Sequence, residues 1–192
     1  MKPRKPLRHL VILLGDQLDR RSSALDGFDP KQDALWMAEV AEESQHVWSH
    51  KARIVLFLSA MRHFRDELLE QGLPLIYRQL EDPKNQGSLS GELQAALQEY
   101  QPEKVILVEP GDFRGLESLR EVAQQQAIPL EERTDAHFLC TLDQFRQHAS
   151  GRKSLRMEFF YRELRKRHDV LMEEGKPLGG DWNYDKENRG NF

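Results

Sequence analysis

Two short apolar runs constrain this chain more than anything else in it. Leu10-Val-Ile-Leu-Leu14 breaks off at Gly15-Asp16, and Lys104-Val-Ile-Leu-Val108 breaks off at Glu109-Pro-Gly-Asp112. Each is too short for an ordinary helix and too uniformly apolar for a strand with one wet face. Both therefore read as strands buried on two sides. Such strands belong in a parallel sheet covered by helices on both faces, and the intervening sequence supplies the other elements.

Ala34 to Val40 reads as a second strand, Leu73 to Leu80 as a third and Ile128 to Arg133 as a fifth. The third opens with a proline, where a missing N–H is tolerated. Ile54-Val-Leu-Phe-Leu58 has a strand-like composition, but the apolar positions 54, 57, 58, 61, 64 and 68 keep a helical period and Gly72 supplies a stop. The segment from His50 to Gln71 is therefore a helix. Glu92 to Tyr100 and Phe113 to Gln126 follow as helices. The expected fold class is α/β: a Rossmann-like five-stranded parallel sheet in the order 3-2-1-4-5, helices on both faces, and a helical C-terminal extension. The expected domains are residues 1–135 for the sheet and 136–192 for a linker or extension.

With 192 residues, one domain and an appendage are expected. A formal net charge of −4 excludes a chain that binds nucleic acid by its overall charge, so such a role needs a local basic patch. The apolar run at Leu10 is too short for a signal-peptide core or a membrane span, which makes cytoplasmic the expected location. The single cysteine, Cys140, excludes a disulfide framework and any zinc or iron–sulfur site built from several cysteines of this chain.

After Gly151 the composition shifts. Residues 152–167 hold seven Lys or Arg against two Glu, with Met157, Phe160, Leu164 and Leu171 as an apolar stripe. Arg152, Lys153 and Arg156 are the candidate phosphate contacts. The competing reading is a solvated face that meets other parts of a longer protein. The Gly179–Asp185 segment is rich in turn formers, and the polar end at Lys186 to Asn191 suggests a shortened chain.

In open parallel sheets, ligands bind beyond the carboxyl ends of the strands, where the strand order reverses. Here those ends carry Gly15-Asp16-Gln17, Glu39 and Glu109-Pro110-Gly111-Asp112. The glycines would allow close approach of a flat ligand, the polar groups could bind its ring edges or a ribityl chain, and Met37 and Phe113 could cover it. Any one such turn could be only a loop. Phosphate loops of the G-x-G-x-x-G and G-x-x-x-x-G-K-[ST] types are missing, which disfavours nucleotide enzymes of the usual kinds. Arg62 and His63 read as surface or supporting residues, and the pair His46 and His50, lacking a third ligand, as structural.

Leu14-Gly-Asp-Gln-Leu18, Ala38-Glu-Val40, Ser59-Ala-Met-Arg-His-Phe64, Glu109-Pro-Gly111, Gly151-Arg-Lys-Ser-Leu155, Met157-Glu-Phe-Phe-Tyr-Arg-Glu163 and Gly179-Gly-Asp-Trp-Asn-Tyr-Asp-Lys-Glu-Asn-Arg189 together span nearly the whole chain. In these segments the sequence resembles the deoxyribodipyrimidine photolyase-related proteins, the bacterial (6-4) photolyase and cryptochrome group that carries an iron–sulfur cluster. The resemblance implies an N-terminal domain binding an antenna pigment, typically 6,7-dimethyl-8-ribityllumazine, held by Gly15, Asp16, Gln17, Met37, Glu39 and the turn from Glu109 to Phe113. It implies FAD, a 4Fe-4S cluster and the DNA lesion in a C-terminal part, so this chain alone is expected to be inactive in repair. Residue spacing does not separate lumazine from a deazaflavin or a folate, nor repair from light sensing. A monomer is expected. The alternative is a ligand-free Rossmann-like module that binds a protein or nucleic acid through residues 152–167.

Overall fold

The computed structural model describes residues 7–45 and 49–185. The described chain divides after Asp135 into two compact units. In the first, β1 (His9–Ile12), β2 (Ala34–Ala38), β3 (Leu75–Arg78), β4 (Lys104–Val108) and β5 (Leu130–Arg133) form one parallel sheet in the order β3-β2-β1-β4-β5. The helices around it are α1 (Glu42–Gln45), α2 (Lys51–Glu70), α3 (Leu89–Tyr100) and α4 (Phe113–Gln125). This is the Rossmann-like order expected from the sequence.

Alternation along the strands builds two cores. Leu10, Ile12, Trp36, Val105 and Leu107 pack with Leu93, Leu97, Leu116 and Leu119 of α3 and α4. Their neighbours in sequence, Val11, Leu35, Met37, Ile106 and Val108, pack on the other face with Met61, Phe64 and Leu68 of α2. Both faces are dry, which is why the central strands read as continuous apolar runs.

Local chemistry sets the helix starts. The Nδ1 of His50 accepts from the Ala52 amide at 3.1 Å ahead of α2, and Ser88 Oγ accepts from the Gly91 amide at 3.1 Å ahead of α3. The serine cap places the start of α3 at Leu89, earlier than the residue pattern suggests. Leu73 belongs to the turn closing α2, its amide donating to Leu68 O at 3.1 Å, so β3 is shorter than the expected 73–80.

The second unit holds α5 (Leu142–Ala149), α6 (Met157–His168) and a small hairpin of β6 (Met172–Glu173) and β7 (Lys176–Pro177). Thr141 and Gln144 close a capping box on α5. Arg165 is buried and donates to the carbonyls of Val170 and Leu171, tying α6 to the chain entering the hairpin. No helix among the described residues is long and apolar enough to cross a membrane.

Candidate functional site

The carboxyl ends of β1, β2 and β4 open onto a cleft of about 330 Å3. Leu14, Gly15 and Asp16 line it from the first strand, Ala38, Glu39 and Val40 from the second, and Pro110 and Asp112 from the fourth. Helix α2 contributes Arg53, Ile54, Phe57, Leu58 and Met61, and helix α4 contributes Gly115 and Leu119. The walls are mainly apolar and the rim is acidic. A second hollow of similar volume lies against the edge strand β3. There Arg78 bridges Asp82 at 2.6 Å and Glu92 at 3.2 Å, a salt-bridged edge away from β1 and β4.

Of the residues singled out from sequence, Gly15, Asp16, Glu39 and Pro110 line the cleft. Gln17 joins the two facing turns: its side-chain amide donates to Glu109 O at 3.2 Å and Val108 O at 3.4 Å. Met37 is fully buried between β2 and α2, where it packs in the core. Glu109 and Gly111 stand in the turn beside the lining, and Phe113, 69% exposed, begins α4. His46 lies outside the described residues, and His50 caps α2.

Glu39 lines the cleft, and its carboxylate is bonded within the protein. Its carboxylate is buried and accepts Arg62 Nε and Nη2, each at 2.8 Å, Tyr77 Oη at 2.6 Å and the Leu80 amide at 3.0 Å. Two donors on each oxygen leave nothing to offer a ligand. Burial alone would raise this carboxyl, but the bonds from Arg62, Tyr77 and Leu80 outweigh it and hold the group below its usual range. Burial and the Glu39 contact in turn push the Tyr77 phenol upwards. Glu39 thus fixes α2 and the loop after β3 to the end of β2, setting the shape of one cleft wall. Arg62, read from the sequence as a surface or supporting residue, is the supporting partner that makes this possible.

Gly15 is also explained by the protein itself. A Cβ there would stand 2.6 Å from Phe57 Cζ and 2.8 Å from Met61 Sδ. The glycine lets α2 approach the β1 turn and brings Phe57 to the cleft. A Cβ at Gly111 would meet nothing within 4 Å.

Glu43 sits at the mouth. Partial loss of hydration raises its carboxyl, and repulsion from Asp16, Glu42 and Asp112 adds to this, with Arg114 opposing. The Asp112 side chain accepts from the Arg114 guanidinium and the Arg114 amide, which hold it below its ordinary value.

In the second unit, Arg152 donates to Glu163 at 2.8 Å and to His148 O at 2.6 Å. Lys153 and Arg156 are exposed. The guanidiniums of Arg162 and Arg165 and the Lys166 ammonium lie 5.3–5.5 Å from the Trp182 ring centre.

The signature of the deoxyribodipyrimidine photo-lyase-related proteins matches residues 11–192. The chain belongs to this family. A (6-4) photolyase from Agrobacterium fabrum is 42% identical over 183 residues, which cover 95% of this chain and 36% of the Agrobacterium protein. The chain therefore spans well under half of that relative's length. An uncharacterized protein of Acanthamoeba polyphaga mimivirus is 26% identical over 193 residues, covering 95% of this chain and 94% of the viral one. Within this family member, the cleft at the strand ends is formed by segments that carried the resemblance: the β1 turn, the end of β2, and the β4 turn.

Proposed function

We propose that this chain is the N-terminal, antenna-binding part of a photolyase-like flavoprotein, and that the cleft takes 6,7-dimethyl-8-ribityllumazine or a similar pigment. The observation that carries this reading is the cleft itself, at the switch point between β1 and β4, where open α/β sheets bind ligands. About 330 Å3 is at the small end of ligand pockets, roughly 300–1000 Å3, and suits a bicyclic ring with a short chain better than a dinucleotide. Ile54, Phe57, Leu58 and Leu119 provide apolar cover for a ring, and the β1 and β4 turns provide backbone polar groups for its edge. The bound pigment would absorb near-ultraviolet or blue light and pass the excitation on. The residues of this chain hold it, orient it and exclude water.

FAD, the iron–sulfur cluster and the DNA lesion belong, in this reading, to the remainder of a longer parent protein for light-driven repair or light sensing. One cysteine does not fit a 4Fe-4S cluster within this chain. If DNA phosphates meet the second unit, Lys153 and Arg156 are the better candidates, because Arg152 already serves Glu163.

The test is a fluorescence titration of the chain with 6,7-dimethyl-8-ribityllumazine, beside Gly115→Leu. A Cβ at Gly115 has only Asp112 Cβ near, at 4.0 Å, so the leucine should fill the cleft while keeping α4 intact. Saturable binding to the native chain, weakened at least about ten-fold in the folded variant, is expected for a loss of some 1.4 kcal/mol. Equal binding to both proteins would move the pigment out of this cleft.

A further inference from the structure

Helix α2 is apolar on more sides than its packing uses. Ala52, Ile54 to Leu58 and Ala60 make its first half predominantly apolar, yet the residues it buries, Met61, Phe64 and Leu68, all lie in its second half. Ile54, Phe57, Leu58 and Met61 face the cleft. The helical period puts Ala52, Val55, Leu56 and Ser59 on the opposite side, with the i, i+3, i+4, i+7 spacing of a helix-packing stripe. Val55 is 66% and Leu56 72% exposed, with Ala52 exposed beside them. A helix that is apolar all round is ordinarily covered, and here one side of its first half stands open. Lys51 and Arg53 are the charges of this half, one at each edge of the stripe, and the first turn has no acid.

Size decides what kind of partner can sit there. Residues 52–59 offer a helix face about 12 Å long and about 10 Å wide, far below the roughly 800 Å2 per partner of a stable interface between free molecules. A second copy of this chain would find too little surface and would bring two more cations from the same half-helix. A segment joined covalently needs much less, because linkage supplies an effective concentration in the millimolar range. Nearly two thirds of the Agrobacterium relative lies outside the region this chain matches, ample length for such a segment. Small residues at the ends of the stripe, Ala52 and Ser59, with Val55 and Leu56 between them, suit the close approach of another helix.

We infer that the outer face of the first half of α2 is the seat of a helix from the remainder of a longer parent protein. That helix would lay an apolar stripe on Val55 and Leu56 and bring acidic residues to Lys51 and Arg53. The inference rests on this chain being part of a longer protein, as proposed above, and does not require a pigment in the cleft. With both in place, the cleft lies one helix diameter, about 10 Å, from the docked part.

The experiment reads whether position 56 is covered. A thiol introduced by Leu56→Cys is alkylated, and the rate is followed on its peptide by mass spectrometry. The full chain alone is compared with a chimera in which it replaces the matched part of the Agrobacterium relative. Leu69→Cys, exposed at the far end of α2, is the reference. Alkylation at position 56 should slow at least about ten-fold in the chimera while the reference keeps its rate. Equal rates in a chimera with a cooperative melt would overturn the inference. Should the chimera not fold, the same thiol at the aligned position of the Agrobacterium relative itself decides in the same way. Leu56→Glu should shift the thermal midpoint of the chain alone by no more than about 2 °C and lower that of the chimera by about 5 °C or more. An equal loss in both would place the cover within this chain and overturn the inference. A chain that is dimeric in solution and monomeric as Leu56→Glu would overturn it in favour of a second copy. Lys51→Glu should lower the midpoint of the chimera more at low salt than at high salt. An unchanged or raised midpoint would overturn the acidic character assigned to the partner helix.

Discussion

At the scale of single residues, two buried carboxylates decide how this protein responds to acid. Glu39 is held by Arg62, Tyr77 and the Leu80 amide. Asp33 is held by Arg8 at 2.8 and 2.5 Å and by the Asp29 amide at 2.8 Å. For both, burial pulls the carboxyl up and the bonds pull it down further, so the folded-state value lies below the unfolded one. A group of this kind contributes its full stability above the unfolded value, about 4, and loses it as pH falls through the folded value. Thermal midpoints should therefore hold from pH 7 to about 5 and drop below about pH 4. Glu39→Gln should lower the midpoint at pH 7 and flatten part of the acid drop. Breaking a fully buried pair costs about 3–5 kcal/mol, but Arg62 is 35% exposed and keeps Glu81, so about 2–3 kcal/mol is expected. An acid drop as steep in the variant as in the native chain would show that Glu39 is not a source of the pH dependence.

At the scale of elements, the glycine after β1 and the helix α2 form a matched pair. Gly15→Ala drives a methyl against Phe57 and Met61, and overpacking of this kind costs about 1–3 kcal/mol. Phe57 is part-exposed and can swing, so the lower half of that range is expected, with the ring displaced towards the cleft. Gly111→Ala, where a Cβ meets nothing, should change stability by no more than about 0.5 kcal/mol. Thermal melts of the two variants measure the difference, and similar shifts would refute the close-approach account. The same pair shows what the sequence could and could not reveal. The strands were legible because β1 and β4 are buried on both faces, and α2 was legible because positions 61, 64 and 68 return to one side of the helix. Gly15 was visible as a special position, but its neighbour was not, since Phe57 reaches it only through tertiary packing. Glu39 was visible as an acid at a strand end, yet its saturation depends on Arg62, Tyr77 and Leu80, each on another element. Met37 looked like pigment cover because its strand ends at the cleft, but its side chain alternates to the α2 face. The short α1 and the hairpin of β6 and β7 carry too few residues for a periodic signal.

At the scale of the molecule, the two units differ in how much of their own apolar surface they bury. The first has a sheet closed on both faces by two apolar clusters. In the second, the buried residues among those described are His148, Arg165 and Pro177, while Phe138, Leu142, Met157, Phe159 and Tyr161 are exposed. What holds it is mainly a set of polar ties, the His148 Nδ1 contact to Glu163 at 2.7 Å, the Arg152 bond to Glu163, and the Arg165 bonds to Val170 and Leu171, beside the ring contacts of Phe160 with Phe145 and His148 at 5.2 and 4.7 Å. Partly exposed ion pairs contribute only about 0–1 kcal/mol each, and a core of this size rarely supplies more than about 3–5 kcal/mol against the entropy of ordering. Residues 1–135 expressed alone should therefore keep a cooperative thermal transition, with native-like circular dichroism. Residues 136–192 alone should show weak helix signal and a broad, non-cooperative melt. A fragment 1–135 without a transition would mean that the sheet relies on the second unit for its stability. A cooperative 136–192 would mean that its polar ties are far stronger than their exposure allows.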